Sequence, residues 1–194
     1  MNGQSCAIHE GLTQSDKDMI LAKHNELRSK VANGKQSGQP PAANMKKMVW
    51  DEELAKEAQN IASSTCVSDY GFVYWGRNTG NVSTSKLVDK SSLQTFWESI
   101  VQSWYDEVTI HDFNSDYVDS FVYKVPTNHY SQVVWAESSQ IGCGGSFFKD
   151  QITYEVNLVC NYLQHGNWEG DSVYEVGTAC SACSGGSCSN GLCA

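Results

Sequence analysis

The chain is poor in positive charge and has no long apolar run. Thirteen Lys and Arg stand against 22 Asp and Glu, a formal charge of −9. That balance leaves no electrostatic footprint for a phosphate polymer or an anionic headgroup, which argues against nucleic acid and heparin-type partners. No run of 18 apolar residues is present to span a bilayer. The opening MNGQSCAIHE has neither the basic segment nor the apolar core of a secretion signal. A G-x-S-x-G elbow, the mark of one large class of serine hydrolases, is also missing. The absence of a signal leaves two compartments open: the cytosol, or the outside with a signal already removed.

The cysteines choose between them. Eight occur, at Cys6, Cys66, Cys143, Cys160, Cys180, Cys183, Cys188 and Cys193. An even number, widely spaced and then crowded at the end, suits disulfides made in an oxidising compartment. The chain therefore reads as a mature secreted, extracellular protein, with Met1 as an expression start. Zinc held by the last four thiolates is the competing reading. Their spacing is too tight for the usual knuckles and no histidine accompanies them, so disulfides are expected. A chain of 194 residues suits one domain that buries roughly 70% of its unfolded surface.

Hydrophobic spacing then lays out the elements. Ile20, His24, Leu27 and Val31 form one helical stripe after capping candidates Thr13 and Ser15, closed by Gly34. A second helix follows Trp50 and Asp51, with Leu54, Ala58, Ile61 and Ala62 on its face and acids in its first turn. Residues 67–92 lose the pattern and read as loop, with a short strand at residues 71–75; Asn81-Val82-Ser83 is a glycosylation sequon within it. A long buried helix runs through Leu93, Trp97, Ile100, Val101, Trp104 and Val108, and a short one starts near Tyr130. Two strand-like runs, IGCGGSFFK and ITYEVNLVCNYL, make a hairpin, with Ile152, Tyr154, Val156 and Leu158 expected on one face. A bridge from Cys143 to Cys160 would staple it, contributing about 3 kcal/mol. From Gly177 onward there are too few apolar residues for a core. The expected organisation is an α+β domain over residues 1–176 and a disulfide-stapled tail over residues 177–194.

Several segments, in order, resemble one family: KHNELRSKVANG, NMKKMVWDEELAKEAQNIA, WYDEV, NHYSQVVW, IGCGG and LVCNYLQHGNW. They are similar to the cysteine-rich secretory, antigen 5 and pathogenesis-related (CAP, or SCP/TAPS) superfamily over nearly the whole chain. The ending CSACSGGSCSNGLCA looks like the cysteine tail of venom allergen-like, activation-associated secreted proteins of parasitic nematodes. It lacks the length of the channel-blocking domain of venom relatives. The resemblance implies a three-layer α-β-α sandwich with a central, mainly antiparallel three-stranded sheet. It also implies the pairs Cys6–Cys66 and Cys143–Cys160. For the tail, Cys180–Cys188 with Cys183–Cys193 is the expectation among three connectivities.

The same resemblance points to a central cleft where relatives carry two histidines and two glutamates. His129 and Glu107 match one of each. Tyr70 stands where the other histidine is expected, and Gly76-Arg77-Asn78, or Gly80-Asn81 on a shorter loop, where a Gly-Glu-Asn tripeptide is expected. One imidazole and one carboxylate are too few for firm zinc binding. Arg77 beside them would repel a cation. His111, one turn beyond Glu107, is a weak third candidate ligand. No cofactor is expected, and divalent binding should be weak or absent. Ser131 is two residues from His129, so on a helix the two point in different directions. No catalytic residue is assigned. His24 on the apolar stripe reads as a satisfied core histidine.

What remains is binding. CAP proteins of this kind carry sterols and fatty acids, and Phe72, Tyr74 and Trp75 form an aromatic cluster suited to an apolar ligand. The expected function is a non-enzymatic venom allergen-like protein that binds a sterol or fatty acid and modulates a host at a parasite interface. The alternative is a protein ligand of a host receptor or leukocyte integrin.

Overall fold

The computed structural model describes residues 7–63, 75–86, 88, 92–123, 126–149 and 152–194. After strand β1 (Ala7–Glu10), helix α1 (Gln14–Ala32) opens on a capping box: the Thr13 side chain accepts from the Asp16 amide, and the Asp16 carboxylate accepts from the Thr13 amide at 2.8 Å. Its buried stripe, including Ile20, His24, Leu27 and Val31, is the one the spacing predicts. Strand β2 (Val49–Trp50) leads into α2 (Glu52–Ser63), where Asp51 accepts from the amides of Glu53 and Leu54, each at 2.9 Å. Then come β3 (Gly76–Thr84), α3 (Leu93–Ile110), a 3-10 turn at Ser115–Tyr117, α4 (Asn128–Val133), β4 (Gln140–Lys149) and β5 (Tyr154–Leu163).

The sheet runs β1-β4-β5-β3, antiparallel throughout, with two-residue β2 added in parallel beside β4. The three long strands are the expected central sheet, and the short β1 and β2 extend it. One face lies under α2. Gly142 and Gly144 make that approach possible: a Cβ at Gly142 would sit 2.2 Å from the Ala55 nitrogen, and one at Gly144 2.3 Å from the Gln59 Cα. Helix backbone thus rests almost directly on strand backbone, and Ala58 and Ala62 pack on Val159 beneath. The other face carries α1, α3 and α4 over the main core, which includes Ile20, Trp97, Ile100, Trp104, Val156, Leu158 and Tyr162. Cys143 and Cys160 face each other across β4 and β5 and are disulfide-bonded, as expected. The Cys6–Cys66 expectation lies outside the described residues.

Two expectations need correction. Residues 76–84 are not loop but a nine-residue strand, every residue of it paired with β5. Their sequence GRNTGNVST shows no apolar alternation because the inward positions at the start are Gly76, Asn78 and Gly80, so the strand is dictated by its partner. Ile152 does not join Tyr154, Val156 and Leu158 on the strand; it precedes β5 and is 81% exposed. The hairpin turn takes it out of the pleat.

The tail forms a small hairpin, β6 (Cys188–Ser189) with β7 (Leu192–Cys193), bridged by Cys180–Cys188 and Cys183–Cys193 as expected. Its two-residue turn puts Asn190 at φ 52° and Gly191 at φ 80°, the left-handed pair that a type I′ turn requires. The tail is hydrogen-bonded to residues 43–47: Cys193 N donates to Met45 O, Lys47 N to Cys193 O and Ala182 N to Ala43 O. Leu192 completes the attachment by entering the main core.

Candidate functional site

Glu107 sits three residues after Trp104 on α3, so both side chains leave the helix on one face. That face meets the first turn of α4. Glu107 Oε2 accepts from the backbone N–H groups of His129 and Tyr130, each at 3.0 Å, while Oε1 accepts from His129 Nδ1 at 2.6 Å. The carboxylate therefore caps a neighbouring helix, and its charge complements the amide ends of that turn. Trp104 stacks on the His129 ring, centroids 6.2 Å apart, and its Nε1 donates to Thr79 O at 3.2 Å. The imidazole is held by a ring contact and by a carboxylate.

Behind the Glu107–His129 pair a buried polar chain continues into the core. Asn78 Nδ2 donates to His129 O at 3.1 Å and lies 3.4 Å from the Tyr162 hydroxyl. Tyr162 reaches His24 Nε2 at 2.9 Å, and His24 Nδ1 reaches Ile20 O at 2.8 Å. A carbonyl only accepts, so Nδ1 carries the proton and Nε2 accepts from Tyr162. His24 is fully buried, and burial pulls its pKa down to about 4. It is the satisfied core histidine that its place on the stripe suggests. Asn78 Oδ1, by contrast, is buried without a hydrogen-bond partner.

Residues 21–162 match the cysteine-rich secretory protein family, CAP. The chain belongs to that family. Its CAP relatives include CRISP/Allergen/PR-1 of Trittame loki, 38% identical over 96% of this chain and 47% of that protein. Another is Scoloptoxin SSD43 of Scolopendra dehaani, 37% identical over 100% of this chain and 92% of that protein. Similar solved structures are BmVAL-1 (TM-score 0.81, 26% identity, 94% of this chain and 95% of that one) and NaASP2 with Zn2+ (0.75, 28%, 95% and 97%). Na-ASP-1 also matches (0.77, 29%), over 99% of this chain and 50% of its own. The chain thus spans about half the length of the Trittame loki relative and of Na-ASP-1.

A CAP cleft that takes a metal needs more donors than this one brings together. Glu107 and His129 meet, but exposed His111, just past the end of α3, does not join them. Among the described residues no group of three or more His, Cys, Asp or Glu is placed to hold a metal ion. Two donors, with the Glu107 oxygens already sharing three hydrogen bonds, do not fit a firmly held zinc ion. Tyr70, at the expected first-histidine position, lies outside the described residues. Arg77 does not stand beside His129 as the sequence suggested. The pleat turns it to the opposite face from Asn78, where its Nε donates to Asn161 Oδ1 at 2.9 Å.

The Ser131 hydroxyl lies 2.6 Å from Asn167 Oδ1 and also reaches Thr127 O and Asn128 O. Of the proposed lipid-contact residues, Phe72 and Tyr74 fall outside the described residues, while half-buried Trp75 donates from Nε1 to Glu57 Oε2 at 2.7 Å. Asn81, the sequon residue, is exposed on β3. Sequence reasoning missed Tyr162 as a neighbour of His129, gave Trp104 only a core role, and had Asn78 there only as a member of the expected tripeptide. The alternation 76, 78, 80 along β3 would have found Asn78 had the strand been recognised. Among the described residues no helix is long and apolar enough to cross a membrane.

Proposed function

We propose that this CAP protein is secreted and non-enzymatic, and that it acts by binding a small hydrophobic molecule, a sterol or a fatty acid, at the interface between a parasite and its host. The observation that carries the non-enzymatic part is the engagement of the cleft. Glu107 is spent on capping α4, His129 Nδ1 is spent on Glu107, and Ser131 is bonded to Asn167. A carboxylate on Nδ1 can orient an imidazole as a base, but the Ser131 hydroxyl faces Asn167 and not His129, so these residues do not assemble the nucleophile and base pair that hydrolysis needs. Secretion is supported by the disulfides and by the venom proteins among the relatives. Hydrophobic carriage is supported by Phe72, Tyr74 and Trp75. The single donor of Trp75 is already satisfied by Glu57, so what its ring offers a ligand is apolar. The test is equilibrium binding of labelled cholesterol and palmitate. Saturable binding of at least one, weakened in Trp75→Ala, is expected; saturable binding of neither removes the reading.

A second reading, a ligand for a host protein receptor, is favoured by one surface. Trp168, Tyr123 and Val122 are 58%, 51% and 44% exposed. Their segments are tied together by Gly170 N to Phe121 O and by Tyr123 N to Glu169 Oε1. Exposed aromatics on an ordered frame are typical anchors of protein interfaces. Trp168→Ala should then weaken receptor capture while leaving lipid binding unchanged.

A further inference from the structure

We propose that Asn81 carries an N-linked glycan and that this glycan guards the free edge of the sheet. The proposal rests on the secreted reading above. Asn81-Val82-Ser83 is the one N-x-S/T sequence in the chain. Asn81 and Ser83 are both exposed, and the pleat puts them on the same face of β3. A sequon asparagine with its side chain in the core would make modification incompatible with folding; this one leaves the attachment point in solvent.

The surroundings suit a saccharide. Asn81 stands opposite Asn157, and two pairs further along Ser83, Glu155 and Phe148 form a row across β3, β5 and β4. A groove of about 360 Å³ beside them is lined by Thr79, Asn81, Phe148, Glu155 and Asn157 among others. That volume is within the range of small-ligand sites. A carboxylate and amides there can bond sugar hydroxyls, and the Phe148 ring offers a surface for the apolar face of a sugar ring.

An independent observation says why a glycan matters at this position. β3 is the last strand of the order β1-β4-β5-β3, and its nine residues pair with β5 on one side. No described strand pairs with the other side. Long edge strands are templates for a second chain unless proline, charge or a bulge interrupts them. GRNTGNVST has no proline and a single charge, Arg77, near its start. A bulky hydrated chain at Asn81, near its middle, keeps a second copy from lying alongside.

The test directs the full chain through the secretory pathway of a eukaryotic cell with a cleavable signal, so that the route is imposed and does not depend on how the native protein travels. Peptide mapping should find a glycopeptide containing Asn81, converted to Asp by peptide N-glycosidase, and none in Asn81→Gln. Unmodified Asn81 in the secreted material overturns the site. Sedimentation velocity then tests the guard. Asn81→Gln, which loses the sugar and leaves the edge uncharged, should rise from monomer toward dimer mass with concentration. Ser83→Lys, which also destroys the sequon but places a charge on the edge, should stay monomeric like the glycosylated protein. Asn81→Gln that stays monomeric, or Ser83→Lys that associates equally, overturns the guarding role.

Discussion

The two ends of α4 are both held by a charged side chain from another helix, and they are held differently. At its start, Glu107 of α3 accepts two backbone N–H groups and shares its other oxygen with His129. Beyond its end, Arg28 of α1 donates six hydrogen bonds to five carbonyls, those of Lys46, Val133, Trp135, Ala136 and Ser138. Both follow the helix dipole, an anion at the amide end and a cation at the carbonyl end. Arg28 is fully buried, and burial pulls its pKa down to about 9, which still leaves it charged at neutral pH. His129 keeps 29% of its side chain exposed. The comparison teaches that one short helix is fixed in place by a closed structural clamp and presented to solvent by an open one. Only the open clamp has an atom a ligand can reach.

The comparison can be broken most forcefully at the closed clamp. Arg28→Met removes six hydrogen bonds to five carbonyls, of which only Trp135 O and Ala136 O keep a backbone donor among the described residues, and should destabilise by about 4 kcal/mol, read as a shift in urea midpoint. Arg28→Lys should recover only part, because an ammonium cannot reproduce the planar fork. If Arg28→Met is near neutral, the clamp is not structural.

Next in size is the pH response of His24, which lies one turn before Arg28 and is linked through Tyr162 and Asn78 to the open clamp. Its folded pKa of about 4 lies below the ordinary 6.5. Between those values the unfolded chain binds a proton that the folded chain refuses. The contribution is therefore complete above pH 6.5 and is lost as pH falls toward 4, about 3 kcal/mol in total. Thermal unfolding of wild type and His24→Gln over that window isolates it, since other groups titrate in both. Parallel curves would place the ring's titration elsewhere.

At the open clamp, Glu107→Gln replaces one acceptor oxygen with an NH2 facing donors. It should cost about 2 kcal/mol, less than Arg28→Met, and should shift the His129 ring resonances. Asn78→Ala is the mildest change: it loses the bond to His129 O but also removes a buried oxygen with no partner. About 1 kcal/mol is expected, with the backbone of His129 perturbed and that of Val133 unchanged.

The unequal legibility of these parts has a physical cause. The stripe Ile20, His24, Leu27, Val31 repeats within one helix, so local spacing reveals both the element and the burial of His24. Arg28 was legible only as a neighbour on that helix, since four of its five partner carbonyls lie more than a hundred residues away. β3 was hidden because Gly76, Asn78 and Gly80 face the helices without apolar side chains, so the pairing that makes the strand comes from β5. Glu107 and His129 are 22 residues apart with no pattern connecting them, and only the family resemblance put them together. The stacking of Trp104 on His129 left no mark in the sequence beyond a core stripe.

The cap that Glu107 forms on α4 carries the proposal that this pair is not a metal or reaction centre. Calorimetric titration of zinc into the folded protein and into His129→Ala tests it most directly. Indistinguishable titrations without submicromolar binding are expected. A submicromolar site in the wild type that disappears in His129→Ala would contradict it.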